Sequence, residues 1–156
     1  MSDQSVGFEP DEVRTRVSTR SARLKWVVVV DRDIPAGRIV NAAACVAAAT
    51  APAVTGLLGP GGADGDGSPH SGLPWAGCSV LAADAETLRA ARAEAAAQEG
   101  VLVTDMPTAA QEVRVYDDYL ARLADLSAEE VAYAAVSLVG PRKKVDRIVG
   151  GLGLLP

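Results

Sequence analysis

The chain reads as an α/β domain, and three observations carry that reading. An unbroken apolar run, WVVVV, is closed by Asp31 and then by Pro35 and Gly37. A short apolar run bounded by turn formers is the mark of a strand buried on both faces. Helical stretches alternate with further short apolar runs along the rest of the chain, the order that builds a mostly parallel sheet with helices packed on it. Finally, 49% of the residues are hydrophobic but only 4% are aromatic. The core is therefore one of Ala, Val and Leu, which favours thin, closely packed helices.

The 156 residues fit one domain with a short extension. Residues 1–22 are polar and lack sustained periodicity, so they read as a flexible arm with a short helix around 10–17, leaving a single domain over 23–156. The first strand spans 25–31. A helix over 36–50 follows, apolar on nearly every side and so expected to be buried, with Pro52 just beyond it as a stop. Residues 56–75, GLLGPGGADGDGSPHSGLPW, are too rich in Gly, Pro and Asp for a helix and form a loop. A second strand spans 78–82. Asp84 is a good N-cap, with Glu86 in the first turn behind it, and Gly100 closes that helix. The third strand lies at 101–104. Residues 108–126 are helical, in one piece or two, and Ser127 and Glu130 have capping-box spacing. The last strand spans 133–139. Pro141 suits a first helical position, and Gly150 ends the final helix.

Net charge is −5 and the pI about 4.8, a weak case for a nucleic-acid partner, which calls for an overall basic face. Two local basic clusters stand against that balance: Arg14, Arg16, Arg20, Arg23 and Lys25, and Arg142, Lys143, Lys144 and Arg147. They read either as solvated faces or as a phosphate-reading patch. Cys45 and Cys78 make no disulfide framework, and Cys45, inside an Ala-rich helix, reads as a buried small hydrophobe. No secretory h-region and no membrane-length apolar run is present, so a cytoplasmic protein with no membrane association is expected. The apolar LGLL near the end either packs on its own sheet or forms a homodimer contact.

Ligands of open α/β sheets collect beyond the carboxyl ends of strands. Asp105 ends the third strand, where a carboxylate orients or activates a water; the alternative is a turn or capping role. Thr108 offers a hydroxyl nearby, or a capping box with Gln111. His70, the only histidine, is an acid, base or ligand candidate in the long loop, or simply a loop residue. Arg38, always charged and fork-shaped, suits a phosphate or carboxylate, with Asp33 and Asn41 beside it as further substrate-binding candidates. Asp64, Asp66, His70 and Cys78 match no metal-ligand spacing, and the Asp-Gly stretch lacks the Glu that a calcium loop requires. No P-loop, dinucleotide fingerprint or nucleophile elbow occurs. Neither a metal nor an organic cofactor is expected.

Two segments, KWVVVVDRDIPAGRIVNAAA and SLVGPRKKVDRIVGGLGLLP, together resemble the start and end of the type II peptidyl-tRNA hydrolase superfamily, and more closely an uncharacterised, domain-of-unknown-function branch of it. That branch has the shortened first turn, the His-Gly-Leu-type loop and the tyrosine-rich YDDYLARL insertion. The resemblance covers about 24–156 and implies a three-layer α/β/α sandwich around a small, mixed, mostly parallel four-stranded sheet. VLVTDMPT is similar to the family strand whose aspartate is a catalytic candidate, which points to Asp105, with Thr108 near the family's threonine. Arg38 matches the second lysine of a GKGK-like segment. The preceding lysine has no counterpart, and Cys45 stands where the family carries a histidine. The implied activity is hydrolysis or transfer of an acyl ester or amide, such as a small-molecule or tRNA-linked acyl substrate. The alternative is a non-catalytic binding module for a small molecule or a protein on the same fold, and the insertion is placed to cover or reshape the site.

Overall fold

The computed structural model describes residues 5–156. The elements are β1 (Leu24–Asp31), α1 (Ala36–Thr50), β2 (Gly62–Ala63), β3 (Pro69–His70), β4 (Ser79–Ala83), α2 (Ala85–Ala96), β5 (Leu102–Pro107), α3 (Ala109–Glu112), α4 (Tyr116–Ala124), β6 (Tyr133–Pro141) and α5 (Arg142–Ile148). Four strands form one sheet in the order β4-β1-β6-β5. Side chains alternate across it. Trp26, Val28 and Val30 face α1, packing with Ile39, Ala42 and Val46. Val27 and Val29 face α2 and α5, with Leu88, Leu138 and Val145. The molecule is therefore three layers deep, α/β/α.

The sheet is mixed, as expected, but not mostly parallel in its pairing. β1 and β4 are parallel, with Val27 opposite Ser79. β6 is antiparallel to β1, Leu24 opposite Pro141, and antiparallel to β5, Leu102 opposite Val139. A parallel neighbour needs a crossover that packs on the sheet. The α3–α4 excursion after β5 does not make one: α4 buries no residue. The chain turns back and enters between β1 and β5 in reverse. Eight of the nine β6 residues are buried.

α1 begins and ends where the sequence places it, but it is not buried on most sides. Ile39, Ala42, Val46 and Thr50 form one inward stripe, the spacing of a single helical face, while Val40 is 68% exposed. Among the described residues no layer covers the outer face of α1, where most residues are exposed, and small Ala side chains tolerate water at little cost.

Beneath α1 lies a buried hydroxyl network. The Trp26 indole N–H donates to Ser137 Oγ at 2.8 Å, and Thr50 Oγ1 donates to the Val46 carbonyl at 2.7 Å. With that proton committed, Thr50 accepts from Ser137 at 2.8 Å, and Thr104, 2.8 Å from Thr50, also has the Val46 carbonyl within 3.3 Å. A hydroxyl has two lone pairs, so every group is satisfied.

Residues 5–22, read above as part of an arm, lie against the domain; the first four residues of that arm are outside the described residues. Phe8 is buried, its ring 4.8 Å from that of Trp75, and its amide donates to the Thr55 carbonyl. One aromatic anchor in a polar stretch leaves no periodic trace. Only residues 10–12 of the expected helix form, as a 3-10 turn. Arg23 then ties the segment down, donating to both Glu12 carboxylate oxygens and to the Gly7 carbonyl. The long loop closes on itself at Gly72, where a Cβ would stand 1.9 Å from the Gly59 carbonyl oxygen, and its middle is the β2–β3 hairpin. At the other end of the chain, Ala82 N–H donates to the Gly153 carbonyl and Leu155 N–H to Val80. The tail thus covers the outer edge of β4, although Leu154 stays exposed. No strand among the described residues pairs with the outer edge of β5.

Two outcomes are expected. Thr50→Val removes the acceptor of the buried Ser137 hydroxyl, while Thr104 keeps the Val46 carbonyl at 3.3 Å, and destabilises the fold by about 1–3 kcal/mol; urea unfolding checks this, and Thr104→Val costs less. Arg23 and the Glu9 amide hold the Glu12 carboxyl down to about 2. A lowered folded pKa gives stability that is present above the ordinary value of 4.5 and is lost as pH falls toward about 2. Trp75 fluorescence should report release of the segment within that window, and Glu12→Gln should remove the acid-dependent step.

Candidate functional site

The free edge of β5 forms the floor of an open cleft of about 460 Å³. Alternation along β5 sets its chemistry. Thr104 turns toward α1 and joins the hydroxyl network, so Asp105 turns toward α2, where Arg92 Nε donates to its Oδ2 at 3.0 Å. The ladder slips between Met106 and Pro107, an irregularity of the kind that bends a strand at a sheet edge. Asp105, Met106 and Pro107 all line the cleft. The far wall comes from the segment after α3 and the start of α4: Arg114, Tyr116 and Tyr119. Cys45 of α1 closes the third side.

Arg92 is held from two directions. Its guanidinium carbon lies 5.6 Å from the centroid of the Tyr133 ring, a cation–π arrangement, while its Nε engages Asp105. Of the Asp105 side chain, 20% is exposed, and Oδ1 has no hydrogen-bond partner among the described residues. Burial first, and the Asp105 charge second, raise the Tyr119 phenol above its ordinary value. The Tyr133 phenol is likewise raised by burial. Both tyrosines therefore stay protonated donors at neutral pH. The rings of Tyr116 and Tyr119 meet edge to face, 5.6 Å apart.

The sequence candidates do not converge on this cleft as a set. Asp105 lines it. Thr108 lies on a separate, smaller pocket with Glu112, Arg122 and Glu130. Its hydroxyl reaches the Ala132 carbonyl at 3.4 Å, and it makes no side-chain cap. Its expected capping partner, Gln111, instead donates to the Arg38 carbonyl and to Asn41 Oδ1, pinning α3 to α1. Arg38 is exposed, with no ion pair among the described residues, and is not among the cleft's lining residues. Asp33 sits in the turn before α1, its amide bonded to Asp31 Oδ1. His70 is exposed on the β2–β3 hairpin, 3.5 Å from Asp64 Oδ2. Asp64 itself holds the hairpin turn by accepting from the Asp66 and Ser68 amides. No group of three or more His, Cys, Asp or Glu side chains among the described residues is placed to hold a metal ion. No described helix is long and apolar enough to cross a membrane.

Cys45, read from its Ala-rich surroundings as buried, is exposed. It falls one residue short of Val46 on the helix, and that step of about 100° turns it off the inward stripe. Sequence reasoning also missed Arg92, Arg114 and the two cleft tyrosines. The tyrosine-rich insertion was the one signal pointing to the last two.

Comparison with known proteins agrees with the fold and adds no activity. The family model described as a protein of unknown function, DUF2000, matches residues 24–156, and the chain belongs to that family. A solved structure of a protein of unknown function from Agrobacterium tumefaciens strain C58 superposes with a TM-score of 0.78. It is 20% identical, with 86% of this chain and 98% of that one covered. No curated protein matches the chain.

The two thiols should separate in reactivity. Burial pushes the Cys78 thiol up to about 11 even though part of the residue reaches the surface, so only about a thousandth of it is thiolate at pH 8. Alkylation at that pH is expected to show one fast equivalent that Cys45→Ser removes.

Proposed function

We propose that the protein binds a small amphipathic molecule in the β5-edge cleft, one carrying an N–H donor, an apolar body and an anionic group. The observation that carries this reading is the Asp105 carboxylate. Arg92 fixes it through Oδ2 and leaves Oδ1 open to the cleft as an acceptor. Met106, Tyr116 and Tyr119 supply apolar contact, and Arg114 stands on the rim for the anion. Ligand sites are commonly of this size and mix, an apolar cradle with a few fixed polar groups. N-Acylated amino acids have the required shape and chemistry.

A second reading, hydrolysis of an acyl ester or amide such as aminoacyl- or peptidyl-tRNA, has one specific support. Asp105, aligned with a catalytic candidate of the type II peptidyl-tRNA hydrolases, and Cys45, at the position of that family's helix histidine, lie on the same cleft. On this reading the sandwich is of that superfamily's type, and the protein is cytoplasmic.

One experiment distinguishes the two. N-Acetyl-L-phenylalanine is titrated into the pure protein, and peptidyl-tRNA release is assayed beside it. Binding without turnover is expected. Tyr116→Ala should weaken it about fivefold, and Asp105→Asn, which keeps an acceptor oxygen, should leave it within about tenfold. Turnover by the wild type that Asp105→Asn abolishes would replace binding with catalysis, and no binding by the wild type would sink the first reading.

A further inference from the structure

The two basic clusters of the sequence meet in space, at the end of the sheet where β1 and β4 begin. Antiparallel pairing sets Lys25 opposite Gly140 and Leu24 opposite Pro141, so the residues before β1 and those after β6 become neighbours. Between them and the start of β4 lies a pocket of about 290 Å³. Its charged lining residues are Arg20, Lys25 and Arg142, with no carboxylate, and Thr19 and Ser79 add hydroxyls. We infer that this pocket is a binding site for a phosphoryl group, distinct from the β5 cleft.

Each cation is presented differently. Arg142 is fastened to the backbone of the segment before β1: Nε donates to the Ala22 carbonyl at 3.3 Å and Nη2 to the Thr19 carbonyl at 3.2 Å. Those bonds orient the guanidinium and leave Nη1 without a partner among the described residues. Lys25 is held by Asp146 at 2.5 Å. Arg20, exposed in the 3-10 turn Thr19–Ser21, has no ion pair among the described residues. Counting Asp146 against the three cations leaves a local charge of +2, against the roughly −1.5 to −2 of a phosphate group at neutral pH. A carboxylate ligand would leave the pocket about one charge in excess. The neighbouring Cys78 does not oppose an anion, because its thiol stays neutral there. Two guanidiniums offer planar, always-charged donors of the kind that grip phosphate oxygens. An acidic protein that lines one cavity with three cations, only Lys25 among them in an ion pair with a described residue, has a binding surface its net charge conceals.

The test is calorimetric titration of the full chain with inorganic phosphate and with pyrophosphate. Saturable binding that weakens as salt rises is expected for at least one probe. Arg20→Ala should weaken it about tenfold, and Arg20→Glu should abolish it. Arg20 makes no side-chain contact that the fold needs, and unchanged thermal unfolding of both variants confirms that folding is not the cause. Tyr116→Ala, in the other cleft, should bind the probe as the wild type does. The inference is overturned if the wild type binds neither probe at millimolar concentration, if Arg20→Glu binds undiminished, or if Tyr116→Ala loses the probe as fully as Arg20→Glu.

Discussion

The antiparallel insertion of β6 between β1 and β5 is the constraint on which the rest of this molecule depends. A strand buried on both faces and paired on both sides has no tolerance for a register slip. One residue of shift would turn Ser137 from the α1 layer to the α2 layer and send Leu138 the other way. Ser137 must stay where it is because the Trp26 indole and Thr50 are bonded to it. The hydroxyl network therefore acts as a register pin in a core otherwise made of interchangeable Val and Ala side chains. Small aliphatic cores fill space well but specify it weakly, and a satisfied buried polar cluster supplies the missing discrimination.

The same insertion decides where chemistry is available. With β6 in the interior, β5 becomes an edge, and the tail covers the opposite edge at β4. An uncovered edge strand is a liability, since its unpaired backbone groups invite another chain. Here it is flanked by the α3–α4 excursion, and the space between the two is the cleft. Asp105 owes its position to this arrangement: it lies on the edge strand, turned toward α2, and Arg92 reaches it because α2 leads directly into β5. Had the last strand been added outside β5, Asp105 would sit in the sheet interior and the cleft would close.

The sequence made the local pieces legible and hid the pairings. The bounds of α1 and the Asp84 cap on α2, whose carboxylate accepts from the Thr87 amide, follow from signals within a few residues, whereas residues 108–126 read equally as one helix or two. The direction of β6 does not, because a short apolar strand looks the same read either way along a sheet. The cleft was legible only at Asp105 and, through the insertion, at the tyrosines. Arg92 had no local mark, since its meaning is a partner thirteen residues away on another element. Cys45 was misread because composition, unlike helical phase, does not say which way a side chain faces. Gln111 fitted a capping motif and serves a longer bond instead, the bridge from α3 to α1.

Net charge misleads here for a reason that can be given a length. β1 has eight residues, about 26 Å from end to end at ~3.3 Å per residue. At physiological ionic strength, charges are screened over about 8 Å, so the two ends of the sheet lie roughly three screening lengths apart. The acidic side chains around the α3–α4 end, Glu112, Asp117 and Asp118 among them, have little influence on a ligand near Arg20 and Arg142. A sum of −5 over the chain is thus compatible with a locally cationic pocket. The antiparallel closure of β6 on β1 creates that pocket by carrying the last basic cluster back to the first, and the same strand leaves β5 open as the floor of the other. One topological choice therefore sets two sites of different chemistry at separate places on a small sheet, far enough apart for each to be tuned by its own neighbours.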